Sequence, residues 1–147
     1  MSLLYADSSA LLRAYFADED EHLELRKLLL REREPVVTSE ITRLELASAV
    51  RAAYSAGRVV RSSDLLERIE GDLAEDGAIS PIDFRADPIV ATAYRFILDY
   101  RLRPLDAIHL AVCVEDCPGL AGGEEVVFVT RDSDQAAAAR ALGLELR

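Results

Sequence analysis

Short apolar runs alternate with helical patterns along the whole chain, and this alternation restricts the fold more than any other feature. Leu3 to Ala6 reads as a strand ending at Asp7, Val36 and Val37 as a second, and Val126 to Val129 as the clearest of all. Ala78 to Ile82 is a weaker strand candidate, interrupted by Pro81, and Leu144 to Leu146 reads as an edge strand. Helical patterns fill the intervals: Ala10 to Phe16, Glu21 to Arg33, Glu40 to Ala56, Ser62 to Asp76, Pro88 to Leu102, Pro104 to about Glu115, and Ser133 to Leu142. Ser8 and Ser9 are cap candidates for the first helix, and Thr38 or Ser39 for the third. Pro118 to Gly123 reads as a loop. Strands this short and this uniformly apolar are covered on both faces, which implies a parallel sheet between helices. The predicted fold class is therefore α/β, three layers deep (α/β/α), with a short central sheet.

A chain of 147 residues matches one ordinary domain, so residues 1–147 are expected to form a single unit. Half of the residues are hydrophobic, enough for a substantial core. No apolar run approaches the roughly 18 residues of a membrane span. The start, Met1 to Asp7, has neither a basic segment nor a small-residue cleavage site, so no signal peptide is expected. Two cysteines do not make a disulfide framework. The expectation is a soluble, cytoplasmic protein. Its 27 acidic and 17 basic residues leave a net charge of −10, which excludes nucleic-acid binding driven by overall charge.

In open parallel sheets the functional crevice lies beyond the carboxyl ends of the strands. Asp7 closes the first strand, Asp132 lies just past the strand Val126 to Val129, and Glu45 is on the helix leaving the second strand. Asp106 sits in the first turn of its own helix. Each acid has a local explanation. Asp7 is a good helix cap, Asp106 opposes a helix dipole, and Asp132 suits an Asx-turn. Glu45 is four residues after Ile41 and four before Ala49, within an apolar stripe, where a salt bridge to Arg13 or Arg43 would satisfy it. Were the four to converge, the electrostatics would demand a partner. Two carboxylates ~4 Å apart repel by about 4 kcal/mol at an effective dielectric of ~20. Oxygen-only ligands suit Mg²⁺ or Mn²⁺. Such an ion orients a phosphodiester and lowers the pKa of an attacking water. The only histidines, His22 and His109, have no nucleophile in a recognisable motif.

These residues resemble the PIN-domain ribonucleases, and within them the VapC-type toxins of bacterial toxin–antitoxin pairs. The resemblance rests on the strand ending in Asp7 with Ser8-Ser9, on Ser39 to Ala52 (SEITRLELASAVRA), on Leu105 to Ala111 (LDAIHLA), and on Val127 to Asp132 (VFVTRD). It implies a PIN-like fold and an acidic metal site on Asp7, Glu45, Asp106 and Asp132. Thr130 matches a supporting hydroxyl position, Ser8 stands beside the first acid, and Asp134 is available as an extra acid. The activity implied is that of a Mg²⁺- or Mn²⁺-dependent endoribonuclease, hydrolysing RNA through a metal-activated water. Its implied partners are RNA, a cognate antitoxin whose basic side chain lies over the acidic pocket, and a second copy in a homodimer. The competing reading is a catalytically inactive PIN-like domain that docks a basic peptide in the same pocket. A phosphatase with Asp-x-Asp after its first strand does not fit, because Ser8 and Ser9 follow Asp7. A receiver domain does not fit either, because the only lysine is Lys27.

Other features read as structural. His109, one turn beyond Asp106, reads as a satisfied, partly buried histidine in preference to a partner of the acids. Cys113 and Cys117 read as buried free thiols. Leu25 to Leu30 reads as core in preference to a groove for a partner helix. The negative net charge means that RNA binding needs a local basic patch, for which Arg13, Arg43 and Arg51 are the candidates.

Overall fold

A computed structural model describes residues 1–147. Five parallel strands form one sheet: β1 (Leu3–Ala6), β2 (Val36–Ser39), β3 (Ile79–Ile82), β4 (Val126–Val129) and β5 (Glu145–Leu146), in the order β3-β2-β1-β4-β5. Helices α1 (Ser8–Tyr15) and α2 (His22–Leu30) follow β1, and α3 (Ile41–Ser55) and α4 (Ser62–Asp72) follow β2. Helices α5 (Ala86–Tyr100) and α6 (Pro104–Ala121) follow β3, and α7 (Ser133–Ala141) follows β4.

Side-chain alternation along the strands divides the core. Leu4, Ala6, Val36, Ile79, Val127 and Val129 point into a layer built by α1 to α4. Leu3, Tyr5, Val37 and Phe128 point into the opposite layer, with residues of α5 to α7. The result is the expected three-layer α/β/α arrangement. The chain winds outward from β1 to β3, returns to β4, and winds outward again to β5. The direction reverses between β1 and β4, so a crevice is expected beyond the carboxyl ends of that pair.

Two prolines mark where local patterning misled. Pro81 does not interrupt β3, because β3 is an edge strand and needs no ladder N–H on its free side. The segment expected as a loop from Pro118 is still helix, and α6 continues to Ala121 before Gly122 ends it at φ 58°. Burial of Ala107, Leu110, Ala111, Cys113 and Cys117 against the sheet sustains that helix past a residue that lacks an N–H. Both cysteines are free and buried, and Leu25 and Leu29 are core, as their spacing indicates. No helix is long and apolar enough to cross a membrane.

Candidate active site

Asp7 leaves β1 at the crevice with its side chain 2% exposed. It is the N-cap of α1, accepting from the Ala10 N–H at 3.0 Å. Its other contacts are hydroxyls: Thr130 Oγ1 donates to Oδ2 at 2.6 Å, and Ser9 Oγ lies 2.8 and 3.0 Å from the two oxygens. No cationic side chain is paired with it. Burial pushes its carboxyl above the ordinary range, although the bonds from Thr130, Ala10 and Ser9 pull the other way.

Thr130 and Ser9 tie the ends of β1 and β4 together. The Arg131 N–H donates to Ser9 Oγ at 2.8 Å, and the Asp132 N–H donates to Thr130 Oγ1 at 3.1 Å. Asp132 caps α7 by accepting from the Gln135 N–H at 2.9 Å. Gln135 is fully buried, and its Nε2 donates to the Asp106 carbonyl at 2.9 Å. This bond pins the start of α6 to the start of α7 and brings Asp106 to the rim. Nothing in the sequence near Gln135 marks it for that task, because its partner is 29 residues away.

Arg103, the N-cap position of α6, reaches over the acids. Its Nε donates to Asp106 Oδ2 at 3.1 Å, and its guanidinium stands 3.6 Å from Asp132 Oδ2. Burial pushes the Asp106 carboxyl up, Arg103 pulls it down, and the charge of Asp132 pushes it up again; the net shift is upward. Asp134 lies exposed in the first turn of α7.

Glu45 is half-buried on α3 and lines a cavity of about 360 Å³ with Arg103, Pro104, Leu105 and Asp106. It stands beside the buried stripe of that helix, which is Thr42, Leu46, Val50 and Ala53, and not within it. Its partner is neither expected arginine. Arg13 pairs with Glu21 at 3.2 Å and Arg43 with Glu70 at 3.7 Å. Instead His109 Nε2 lies 2.5 Å from Glu45 Oε1, and Ser8 Oγ donates to Oε2 at 3.0 Å. Burial opposes the charge of Glu45, yet the bonds from His109 and Ser8 outweigh it and hold the carboxyl below the usual range. His109 is thus fully buried and bonded directly to Glu45, correcting the expectation of a partly buried histidine that does not partner the acids.

The acids therefore reach the rim from four places: the ends of β1 and β4, the first turn of α6, and α3. Their side chains do not form a closed cage, for no three acids, histidines or cysteines stand close enough together to hold an ion. The donor set still fits a hard divalent cation in kind. It is all oxygen, and burial drives the Asp7 and Asp106 carboxyls upward, toward protonation. Arg103 sets a positive charge beside Asp106 and Asp132 from a side chain that is 80% exposed.

The family model described as the PIN domain matches residues 4–141. No curated protein matches in sequence. Three solved structures share the fold. The Mycobacterium tuberculosis VapC20 toxin, described as cleaving the sarcin–ricin loop, superposes with a TM-score of 0.66 at 18% identity, over 92% of this chain and 94% of that one. Rickettsia felis VapBC2, bound to a promoter DNA fragment, gives 0.63 at 14% identity, over 99% and 97%. VapBC-1 of nontypeable Haemophilus influenzae gives 0.60 at 12% identity, over 100% and 97%.

Proposed function

Because the chain belongs to the PIN domain family, we propose that it is a divalent-metal-dependent endoribonuclease, the cytoplasmic toxin of a toxin–antitoxin pair. Residues 1–147 act as one nuclease domain. Asp7, Glu45, Asp106 and Asp132 hold Mg²⁺ or Mn²⁺, with Asp134 as an accessory acid. The observation that carries this reading is Asp7, a carboxylate buried at the end of the central strand and tied through Thr130 to the backbone N–H of Asp132, with no arginine or lysine for a partner. A bound divalent ion supplies electrostatic stabilisation and an activated water for in-line attack on a phosphodiester.

The chain's own residues prepare for that chemistry. Thr130 and Ser9 orient the Asp7 carboxylate, and Ser8 and His109 orient Glu45. Gln135 holds the backbone of Asp106 in register with α7. Arg103 is the basic group that lines the cavity, and on release from Asp106 and Asp132 it can hold a phosphate oxygen of the RNA. Arg13 and Arg43 serve less well, since they pair with Glu21 and Glu70 and neither lines the cavity.

One observation favours the second reading, an inactive PIN-like domain that docks a basic peptide: a guanidinium already lies between Asp106 and Asp132. The same contact is what an antitoxin side chain would make. Val90, Tyr94 and Leu98 are exposed on α5, and a homodimer would cover apolar surface of this kind. Incubating a structured RNA with the purified protein in Mn²⁺, in Mg²⁺ and in chelator separates the readings. Metal-dependent cleavage that disappears in Asp7→Asn and Asp106→Asn, both still folded, is the expected result. Full activity in either variant refutes the site assignment, and absence of cleavage in every ion favours the docking domain.

A further inference from the structure

Glu45 is held by a hydrogen-bonded chain that runs back into the sheet. The Ser39 N–H donates to Tyr5 Oη at 3.2 Å, Tyr5 Oη lies 2.7 Å from His109 Nδ1, and His109 Nε2 lies 2.5 Å from Glu45 Oε1. Tyr5 and His109 are both fully buried. An ionised carboxylate only accepts, so Nε2 carries the proton. In the neutral ring Nδ1 is then the acceptor, and the Tyr5 hydroxyl must donate to it. The phenol oxygen keeps a lone pair for Ser39. Every donor has one acceptor, and the chain runs in one direction only.

The anchor is rigid. Tyr5 lies on the central strand, its ring stacked on Phe128 with centroids 5.6 Å apart and meeting the His109 ring edge-on at 5.9 Å. Ser8 takes the other oxygen of Glu45 at 3.0 Å. Each carboxylate oxygen is thus fixed by one donor and keeps a lone pair. From this geometry we infer that Tyr5 and His109 are positioning residues that lock the Glu45 carboxylate in one orientation for a divalent cation. The inference rests on the metal-nuclease reading and assigns His109 no contact with RNA.

The test is Mn²⁺ binding to the full chain, measured by titration calorimetry at one pH, with unfolding followed in parallel. His109→Leu is expected to weaken Mn²⁺ binding about 10- to 100-fold, the usual cost of losing the group that orients a ligand. His109→Gln, which keeps an N–H donor, is expected to recover most of that loss. Tyr5→Phe keeps the ring packing, removes the hydroxyl, and is expected to weaken binding in the same direction if His109→Leu does not fold. The decisive comparison is a double-mutant cycle. In a Glu45→Ala background, His109→Leu or Tyr5→Phe should change Mn²⁺ affinity less than about twofold. An equal loss with and without Glu45, or no loss in wild-type background, overturns the inference while leaving the nuclease reading intact. A wild-type protein that binds no Mn²⁺ and cleaves no RNA overturns both.

Discussion

Thr130→Val tests the structure of the rim through stability alone. The substitution preserves shape and deletes a hydroxyl that donates to buried Asp7 Oδ2 at 2.6 Å and accepts from the Asp132 N–H at 3.1 Å. A hydrogen bond to a charged group contributes about 1.5–3 kcal/mol, and the Asp132 N–H, at a half-buried position, can turn to water. The expected loss at neutral pH is therefore about 2–3 kcal/mol. Unfolding entropy near 2.1 cal/mol/K per residue over 147 residues converts this to a fall in Tm of roughly 6–10 °C. The loss must also depend on pH. Asp7 in the folded protein titrates above its unfolded value, so its contribution to stability is full below the unfolded value and is lost as pH rises through the folded one. Removing Thr130 raises the folded value further, and the stability gap from wild type widens as pH rises. Urea denaturation of both proteins in chelator, from about pH 4 to about pH 8, measures this gap. Thr130→Ser should stay near wild type. A gap that is the same at every pH, or below about 0.5 kcal/mol at neutral pH, would mean that Asp7 is not the charged acceptor assigned here.

Other expectations follow from the same geometry. Asp7→Asn removes a buried charge and should raise the Tm of the metal-free protein at neutral pH, with the advantage vanishing in acid; a lower Tm at neutral pH contradicts the burial argument. Mn²⁺ affinity should rise with pH, because protons compete for Asp7 and Asp106, whose folded values are both raised; calorimetry in two buffers of different ionisation heat should detect proton release. Arg103→Ala should tighten Mn²⁺ binding by withdrawing the cation that competes for Asp106 and Asp132, with thermal unfolding unchanged; weaker binding would show that Arg103 supports the site. Leu46→Ala, in the buried stripe of α3, should cost about 2–5 kcal/mol and lower activity only through the unfolded fraction, measured by comparing denaturation with specific activity.

The short apolar runs and the caps at Asp7 and Asp132 were legible because their causes are local. The cap candidates Ser8 and Ser9 instead lie inside α1, and α3 has Glu40 at its N-cap position, with no side-chain cap bond, in place of Thr38 or Ser39. Leu3 to Ala6 cannot be exposed on either face, and Asp7 and Asp132 cap the helices that start beside them by bonding N–H groups three residues away. Helix and strand ends failed where a distant neighbour decided them. Pro81 is harmless only because β3 lies at the sheet edge, and Pro118 is tolerated only because α6 packs against the sheet.

The acids themselves were visible in the chain, and their partners were not. Helical spacing indicated that Glu45 needs a counterpart, and proximity in sequence suggested Arg13 or Arg43. The counterpart is His109, 64 residues away, because α3 and α6 meet at the carboxyl end of a sheet whose strand order brings them together. Gln135 binds Asp106 for the same reason. Sequence by itself determined which side chains can ionise, which stretches are apolar, and roughly where helices begin, since these depend on the residue itself or on neighbours a few residues apart. Tertiary structure alone decided which charge meets which proton, because hydrogen bonds act over about 3 Å and only chain topology brings remote residues that close.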